Sequence, residues 1–117
     1  MTKNEIVEKS FDFAVRIVNL YKYMVREHKE FVLSKQLLRC GTSIGANISE
    51  AQRGQSKADF SAKMNIALKE ANETCYWIKL LYQTDYLTKS QYESIFSDAE
   101  ELLRILTSIC RTANETK

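Results

Sequence analysis

The chain has 117 residues, of which 44% are hydrophobic and 27% charged, so it has the length of one domain and the composition of a globular protein. Proline is absent and glycine occurs three times, which leaves a β-sandwich or β-barrel without the residues that its many turns require. The net charge of +2, from 17 basic and 15 acidic residues, is too weak to indicate a polyanion partner by itself.

The first predicted helix carries apolar residues on two adjacent faces. One stripe steps by threes and fours through Val7, Phe11, Ala14, Val18, Tyr21 and Val25. A second set consists of Ile6, Phe13, Ile17, Leu20 and Met24. A helix packed only within its own bundle needs one stripe. The other stripe is therefore expected either to contact another subunit or to lie deep in the protein's own core. The charged residues 26–30 are expected to end this helix.

The second predicted helix begins with Ser34 as its N-cap and runs to about Arg53, with Gly54 as the natural stop. Its interior contains Gly41 and Gly45, each of which costs about 1 kcal/mol relative to alanine. Because the two glycines are four residues apart, they lie on one ridge of the helix. This spacing predicts the close approach of another helix backbone.

Two capping boxes mark the later helices. The Ser56–Asp59 pair predicts the start of the third helix, which runs to about Gln83, and the Thr88–Gln91 pair predicts the start of the fourth. The polar tail, residues 112–117, is expected to fray. Four long helices joined by short connectors predict an all-α, antiparallel up-down-up-down four-helix bundle, formed as a single domain by residues 1–117.

The remaining sequence features predict a non-enzymatic protein without metal or cofactor. The single histidine, His28, lies in the charged connector, and the chain has neither a Glu-x-x-His pair nor a phosphate-binding loop. The cysteines lie in or beside apolar stripes and are expected to be buried thiols: Cys40, Cys75 and Cys110. An enzyme would need an acid with a perturbed pKa between helices, for which the candidates are Glu50, Glu70 and Glu73. The polar N-terminus and the absence of an apolar run of ~20 residues predict a cytoplasmic protein without a membrane span.

A polar line follows one face of the second helix. It consists of Gln36, Arg39, Ser43, Asn47 and Glu50. In the favoured interpretation Asn47 and Glu50 turn inward near the start of the third helix. Arg39 then pairs with an acid such as Glu70 or Glu73. The structural polar layer of this interpretation is Gln36, Ser43, Asn47 and Glu50. The alternative is a ligand or phosphate surface formed by Arg39, Ser43, Asn47 and Arg53.

Positive charge is concentrated around the second helix. Residues 31–56 contain three basic and one acidic residue, whereas residues 85–117 contain four basic and six acidic residues. The candidate nucleic-acid-binding residues are Lys35, Arg39, Arg53 and Lys57. A ring of several copies would repeat this surface, and multivalency can raise avidity by roughly a hundredfold.

Residues 33–87 carry a recognisable pattern. The second helix contains Gln-x-x-Arg from Gln36, followed by Ser-Ile-x-x-Asn-Ile-x-Glu from Ser43. Ser56-x-x-x-Phe60 then opens the third helix. This pattern resembles the four-helix-bundle proteins found as reading frames in 23S rRNA intervening sequences of some bacteria. The chain departs from that family at Ala51, where the family usually has glycine.

The resemblance implies a ring-like homo-oligomer, often a pentamer. It also implies kinship with the accessory variability proteins of diversity-generating retroelements, which bind nucleic acid and contact a reverse transcriptase. We therefore expect a nucleic-acid-associated accessory protein that binds structured RNA or duplexes through a basic surface. The alternative is a protein-binding scaffold without a nucleic-acid role.

Overall fold

A computed structural model describes residues 3–115, which form an antiparallel bundle with extents of 46 × 20 × 20 Å. The helices are α1 (Lys3–His28), α2 (Leu33–Ala51), α3 (Lys57–Gln83) and α4 (Lys89–Glu115). Consecutive helices pack closely, and α1 packs more loosely on α4. This arrangement confirms the predicted all-α four-helix bundle. None of the described helices is long and apolar enough to cross a membrane.

The two apolar faces of α1 have different environments. The second set supplies the core residues of this helix, including Ile6, Phe13, Ile17 and Met24, each at most 2% exposed. The first stripe lies at the edge and on the outer surface, where Phe11 is 67% exposed. The core face of α1 is therefore the second set, and part of the first stripe has no cover within the protomer.

The glycines of α2 allow α1 to approach closely, as predicted. A Cβ atom built on Gly41 would lie 2.9 Å from Cγ1 and Cγ2 of Ile17. One built on Gly45 would lie 3.1 Å from the backbone oxygen of Ser10. Both distances are shorter than ordinary van der Waals contact, so side chains at these positions would push the two helices apart.

The predicted N-cap of α2 is wrong. Ser34 lies inside the helix, and the carboxylate of Glu30 caps it by accepting the backbone N–H groups of Val32 at 3.1 Å, Leu33 at 2.9 Å and Ser34 at 2.8 Å. The Ser34 hydroxyl donates to the backbone oxygen of Glu30 at 2.7 Å. The longer side chain of Glu30, four residues before Ser34, thus accepts the free N–H groups at the start of α2, as a serine N-cap was expected to do.

The first connector is also shorter than predicted. Residues 26–28 continue α1, and His28 is its exposed last residue rather than part of a loop. The chain turns at Lys29, whose φ of 52° lies in the left-handed region. Charged side chains do not break a helix by themselves; this one ends where a left-handed residue redirects the backbone.

At the opposite end, α2 ends at Ala51, two residues before the predicted Arg53. Gly54 follows in the connector, and no glycine of the chain has a positive φ, so Gly54 does not act as a left-handed stop. The Ser56–Asp59 cap is confirmed, because the Ser56 hydroxyl accepts the backbone N–H of Asp59 at 3.1 Å.

The start of α4 is confirmed and its end is longer than predicted. The backbone N–H of Thr88 donates to the Gln91 side chain at 2.9 Å, and the backbone N–H of Gln91 donates to the Thr88 hydroxyl at 3.2 Å. The helix continues to Glu115, so residues 112–115 do not form a frayed tail. Residues 116–117 of the predicted tail lie outside the described residues. The Ser61 hydroxyl donates to the amide oxygen of Asn114 at 3.0 Å, which ties this last part of α4 to α3.

Candidate nucleic-acid interface

The structure distributes the four candidate cations over the length of α2. Lys35 lies in the first turn, and Arg53 lies just beyond the last turn, beside Lys57 at the start of α3. At 1.5 Å per residue, the 18 positions between Lys35 and Arg53 correspond to about 27 Å. The four residues therefore do not form one patch. Arg53 and Lys57 flank the α2–α3 connector, and Lys35 lies at the other end of the bundle.

Arg39 is held by two carboxylates of α3. Its Nη1 lies 3.2 Å from Oε2 of Glu70, which is buried, and its Nη2 pairs with the carboxylate of Glu73. The indole N–H of Trp77 donates to the same Glu73 oxygen at 3.1 Å. The pairing predicted by the structural interpretation is present, so Arg39 ties α2 to α3. Its charge is largely compensated within the protomer.

The rest of the polar line lies at the surface rather than in a buried layer. Gln36 is exposed, and the half-buried Asn47 donates to the backbone oxygen of Ser43 at 2.8 Å, within α2. The predicted inward turn of Glu50 is wrong: its side chain is 61% exposed and lies 2.6 Å from Lys63 Nζ. Because Ser56 already caps α3, Glu50 is not needed at that helix start.

Arg53 and Lys57 differ from Arg39 in forming no ion pair with a carboxylate of the described residues. Both are exposed, and neither takes part in an ion pair among residues 5–115. Lys35, at the other end of the bundle, is also exposed and takes part in no ion pair among these residues. Cations without an internal partner can contact phosphate groups without first breaking an ion pair.

A cavity of about 650 Å³ opens beside the α2–α3 connector, and we call it the end cavity. Buried apolar side chains form its base, among them Ile6 of α1 and Met64 of α3. Gln55 and Lys57 lie at its rim. Within the described part of the chain, Lys57 is the one charged residue that lines it. Its lining comes from all four helices and one connector. No local sequence motif could therefore have revealed it.

The buried thiols are poor candidates for chemistry. Burial raises the pKa of Cys40 to about 11 and also raises the pKa values of Cys75 and Cys110. All three are buried and free, which confirms their prediction as small core residues. Because the thiolate is the nucleophile, a raised pKa makes each thiol less reactive at neutral pH.

An apolar surface runs along the outer side of α1, and we call it the α1 face. Its most exposed members are Phe11 at 67% and Val15 at 46%. Val7, Val18 and Val25, which are half-buried, continue the same stripe. Exposed apolar residues that line up along a helix are typical of an interface with another chain.

Comparison with known proteins places this bundle among relatives. Residues 2–108 match the family described as 23S rRNA-intervening sequence protein. A crystal structure from Bacteroides thetaiotaomicron, described as a protein with unknown function from the S23 ribosomal protein family, is similar at 61% sequence identity. It covers 95% of this chain and 99% of its own, with a TM-score of 0.92. A search among curated proteins found no match.

Proposed function

This chain belongs to the 23S rRNA-intervening sequence protein family, and from that premise we propose that it is a non-enzymatic, cytoplasmic accessory protein that binds structured RNA or duplexes. Binding is electrostatic and follows the shape of the phosphate backbone. Contacts to phosphates position a protein on a nucleic acid without reading its sequence. The proposal therefore needs uncompensated cations on an accessible surface, and no reactive group.

One observation carries this proposal: Arg53 and Lys57 flank a single connector and have no carboxylate partner among the described residues. The contrast with Arg39 is informative, because that cation already lies between Glu70 and Glu73. Of the four candidates, Arg53 and Lys57 contribute most to binding, because they are unpaired and lie four residues apart at one end of the bundle, where they can act together. Lys35 supplies a second contact point at the far end of α2, and Arg39 contributes mainly to the fold.

The proposal includes assembly into a ring-like homo-oligomer, with a pentamer favoured. The α1 face supports it, because the exposed Phe11 and Val15 would be removed from water by a second copy. A heterologous contact that closes produces a ring. Such a ring repeats the α2–α3 connector in each subunit, and several weak phosphate contacts then act together.

A protein-binding scaffold is the second candidate function, and the same α1 face favours it. In that case a different protein covers Phe11 and Val15. A reverse transcriptase partner, like the kinship with accessory variability proteins, rests on the sequence resemblance and stays a prediction. The scaffold differs in one measurable respect: it is indifferent to RNA and DNA.

Fluorescence anisotropy with a labelled RNA hairpin and a labelled DNA duplex tests the proposal. The double variant Arg53→Gln/Lys57→Gln removes the two uncompensated cations. We expect weaker binding and a slope of log K against log salt that is shallower by about 2, since each phosphate contact contributes ~0.9. The matched control, Lys69→Gln/Lys89→Gln, removes the same charge from exposed positions elsewhere and should bind like the wild type.

Two outcomes would overturn the proposal. No binding to either nucleic acid at low salt would remove the nucleic-acid role and favour the scaffold. Equal weakening by both double variants would show a response to net charge rather than to the α2–α3 connector. Melting temperatures of both variants, measured alongside, confirm that the fold is retained.

Sedimentation velocity tests the assembly separately. Phe11→Glu places a charge at the centre of the α1 face and should give monomers. Asp12→Ala, at the exposed neighbouring position, is the control and should leave the oligomer intact. A wild-type protein that sediments as a monomer at high concentration would exclude the ring, whatever the RNA result.

A further inference from the structure

We propose that the end cavity receives one unpaired nucleobase of the bound RNA, while Arg53 and Lys57 contact the adjoining phosphates. This inference rests on the proposed function and adds a recognition site to it. Proteins recognise RNA sequence mainly at unpaired nucleotides, whose bases can leave the stack and enter a pocket. A paired base within a duplex cannot reach such a cavity.

The size of the end cavity is suited to this ligand. Its volume of about 650 Å³ lies well inside the ~300–1,000 Å³ typical of small-ligand pockets. The buried side chains of Ile6 and Met64 form an apolar base. The faces of a nucleobase are apolar, so transfer from water to this base removes apolar area on both partners.

The rim offers the polar groups that the edge of a base requires. Gln52 and Gln55 carry amides, each with both donor and acceptor capacity. The Nε2 group of Gln52 donates to the backbone oxygen of Ile48 at 3.0 Å, which leaves its amide oxygen as an acceptor.

The charges around the end cavity favour a nucleotide over an uncharged ligand. Lys57 lies at the rim, and Arg53 is exposed in the same connector. Among the described lining residues there is no carboxylate to repel a phosphate. The apolar walls correspond to the ring faces of one nucleotide and the amides at the rim to the edge of its base. The adjacent cations correspond to its phosphate backbone.

Three labelled RNA hairpins of one stem sequence test this site: fully paired, with one bulged adenosine, and with an abasic residue in the bulge. We expect the bulged hairpin to bind about tenfold more tightly than the paired one, the range that base stacking supports. The abasic hairpin should lose that preference. The variant Ser108→Trp, which places an indole at the lining, should lose it too while binding the paired hairpin normally. Ser97→Trp, at an exposed position of α4 outside the lining, is the matched control.

A direct measurement complements the hairpins. With methyl groups labelled for NMR, adenosine 5′-monophosphate should shift the signals of Ile6, Met64 and Ile109. The distant Ile78 methyl, in the buried core, should stay unchanged. Signals that change with protein concentration in the absence of nucleotide would show a second copy in the end cavity and overturn the inference.

The outcomes separate this inference from the proposed function. Equal binding of all three hairpins, with no effect of Ser108→Trp, overturns the nucleobase site and leaves phosphate binding through Arg53 and Lys57 intact. Failure of every hairpin to bind at low salt overturns the proposed function, and with it the RNA site. Circular dichroism of Ser108→Trp shows that a loss of preference does not come from unfolding.

Discussion

The α1–α2 hairpin and the α2–α3 hairpin share α2 but are stabilised in different ways. In the first, the buried Glu30 carboxylate accepts three backbone N–H groups, and Gly41 lets the helices approach closely. In the second, the exposed Ser56 caps the helix, and ion pairs from Arg39 and Glu50 join α2 to α3. Both hairpins have a buried core, but the first adds a buried cap and a close helix approach, whereas the second adds an exposed cap and ion pairs.

The two ends of α2 therefore have different roles: its first end contributes to stability and its last end to binding. At the α1–α2 connector, the capping carboxylate is already saturated by the backbone and has little capacity for a ligand. At the α2–α3 connector, Arg53 and Lys57 stay exposed beside the end cavity. We therefore expect substitutions in the first hairpin to reduce stability and those at the second connector to change binding.

The largest expected loss comes from Glu30→Ala. Removing the carboxylate leaves three backbone N–H groups without their acceptor, and hydrogen bonds to charged groups are worth about 1.5–3 kcal/mol. Urea unfolding should show a loss of this size. Glu27→Ala, at an exposed position in the last turn of α1, is the control. A loss no greater than that of the control would contradict the capping role.

Gly41→Ala should cost up to about 2 kcal/mol net, because the overpacking cost of about 1–3 kcal/mol against Ile17 is only partly offset by the gain of about 1 kcal/mol in helix propensity. The added methyl would lie 2.9 Å from two carbons of a β-branched side chain that cannot easily move. Ala46→Gly, at an exposed position of α2, gives the helix-propensity difference by itself in the same unfolding assay. A stabilised Gly41→Ala would show that α1 and α2 can separate without loss.

Arg39→Gln tests the ion pairs of the second hairpin. It leaves the buried Glu70 carboxylate without its cation, and we expect a loss of about 1–2 kcal/mol in unfolding free energy. Binding to the RNA hairpin should change less than in Arg53→Gln, which has the same change of charge. If Arg39→Gln weakened RNA binding more than Arg53→Gln does, Arg39 would be part of the binding surface.

Ser56→Ala should cost about 1 kcal/mol, the usual value for an exposed N-cap. It deprives one backbone N–H, that of Asp59, of its acceptor, where Glu30→Ala deprives three. Thermal unfolding of the two variants under the same conditions gives the ratio directly. Equal losses of unfolding free energy in the two variants would contradict the proposed difference between the two connectors.

The smallest effect concerns pH. Burial alone would raise the pKa of Glu30, but hydrogen bonds from the backbone N–H groups of Ser34, Leu33 and Val32 and from the Ser34 hydroxyl bring it below the usual 4.5. The carboxylate therefore stabilises the fold above that pH, and the contribution is lost as pH falls through the lowered pKa. The stability advantage of the wild type over Glu30→Gln should shrink below pH 4.5. A constant difference would contradict the lowered pKa.

The candidate site was predictable in its residue types but not in its arrangement. The basic bias around α2 pointed to Arg53 and Lys57, and both are exposed and without an internal carboxylate partner among the described residues. The same cluster of positive charge included Arg39. For this residue the sequence left open whether it pairs with an acid such as Glu70 or forms part of a ligand surface. The predicted inward position of Glu50 was wrong, because Lys63, the seventh residue of α3, offers its carboxylate a partner at the surface.

The sequence by itself determined the four helices, the Ser56 N-cap, the Thr88 capping box and the glycine ridge of α2. Each depends on residues three or four positions apart, which are neighbours on any helix. The choice of Glu30 rather than Ser34 as the cap of α2 is also local, but the sequence analysis did not predict it. Tertiary structure alone decided which face of α1 is buried and where the end cavity lies. These depend on how helices distant in the chain are rotated and spaced, and no local pattern specifies that relation.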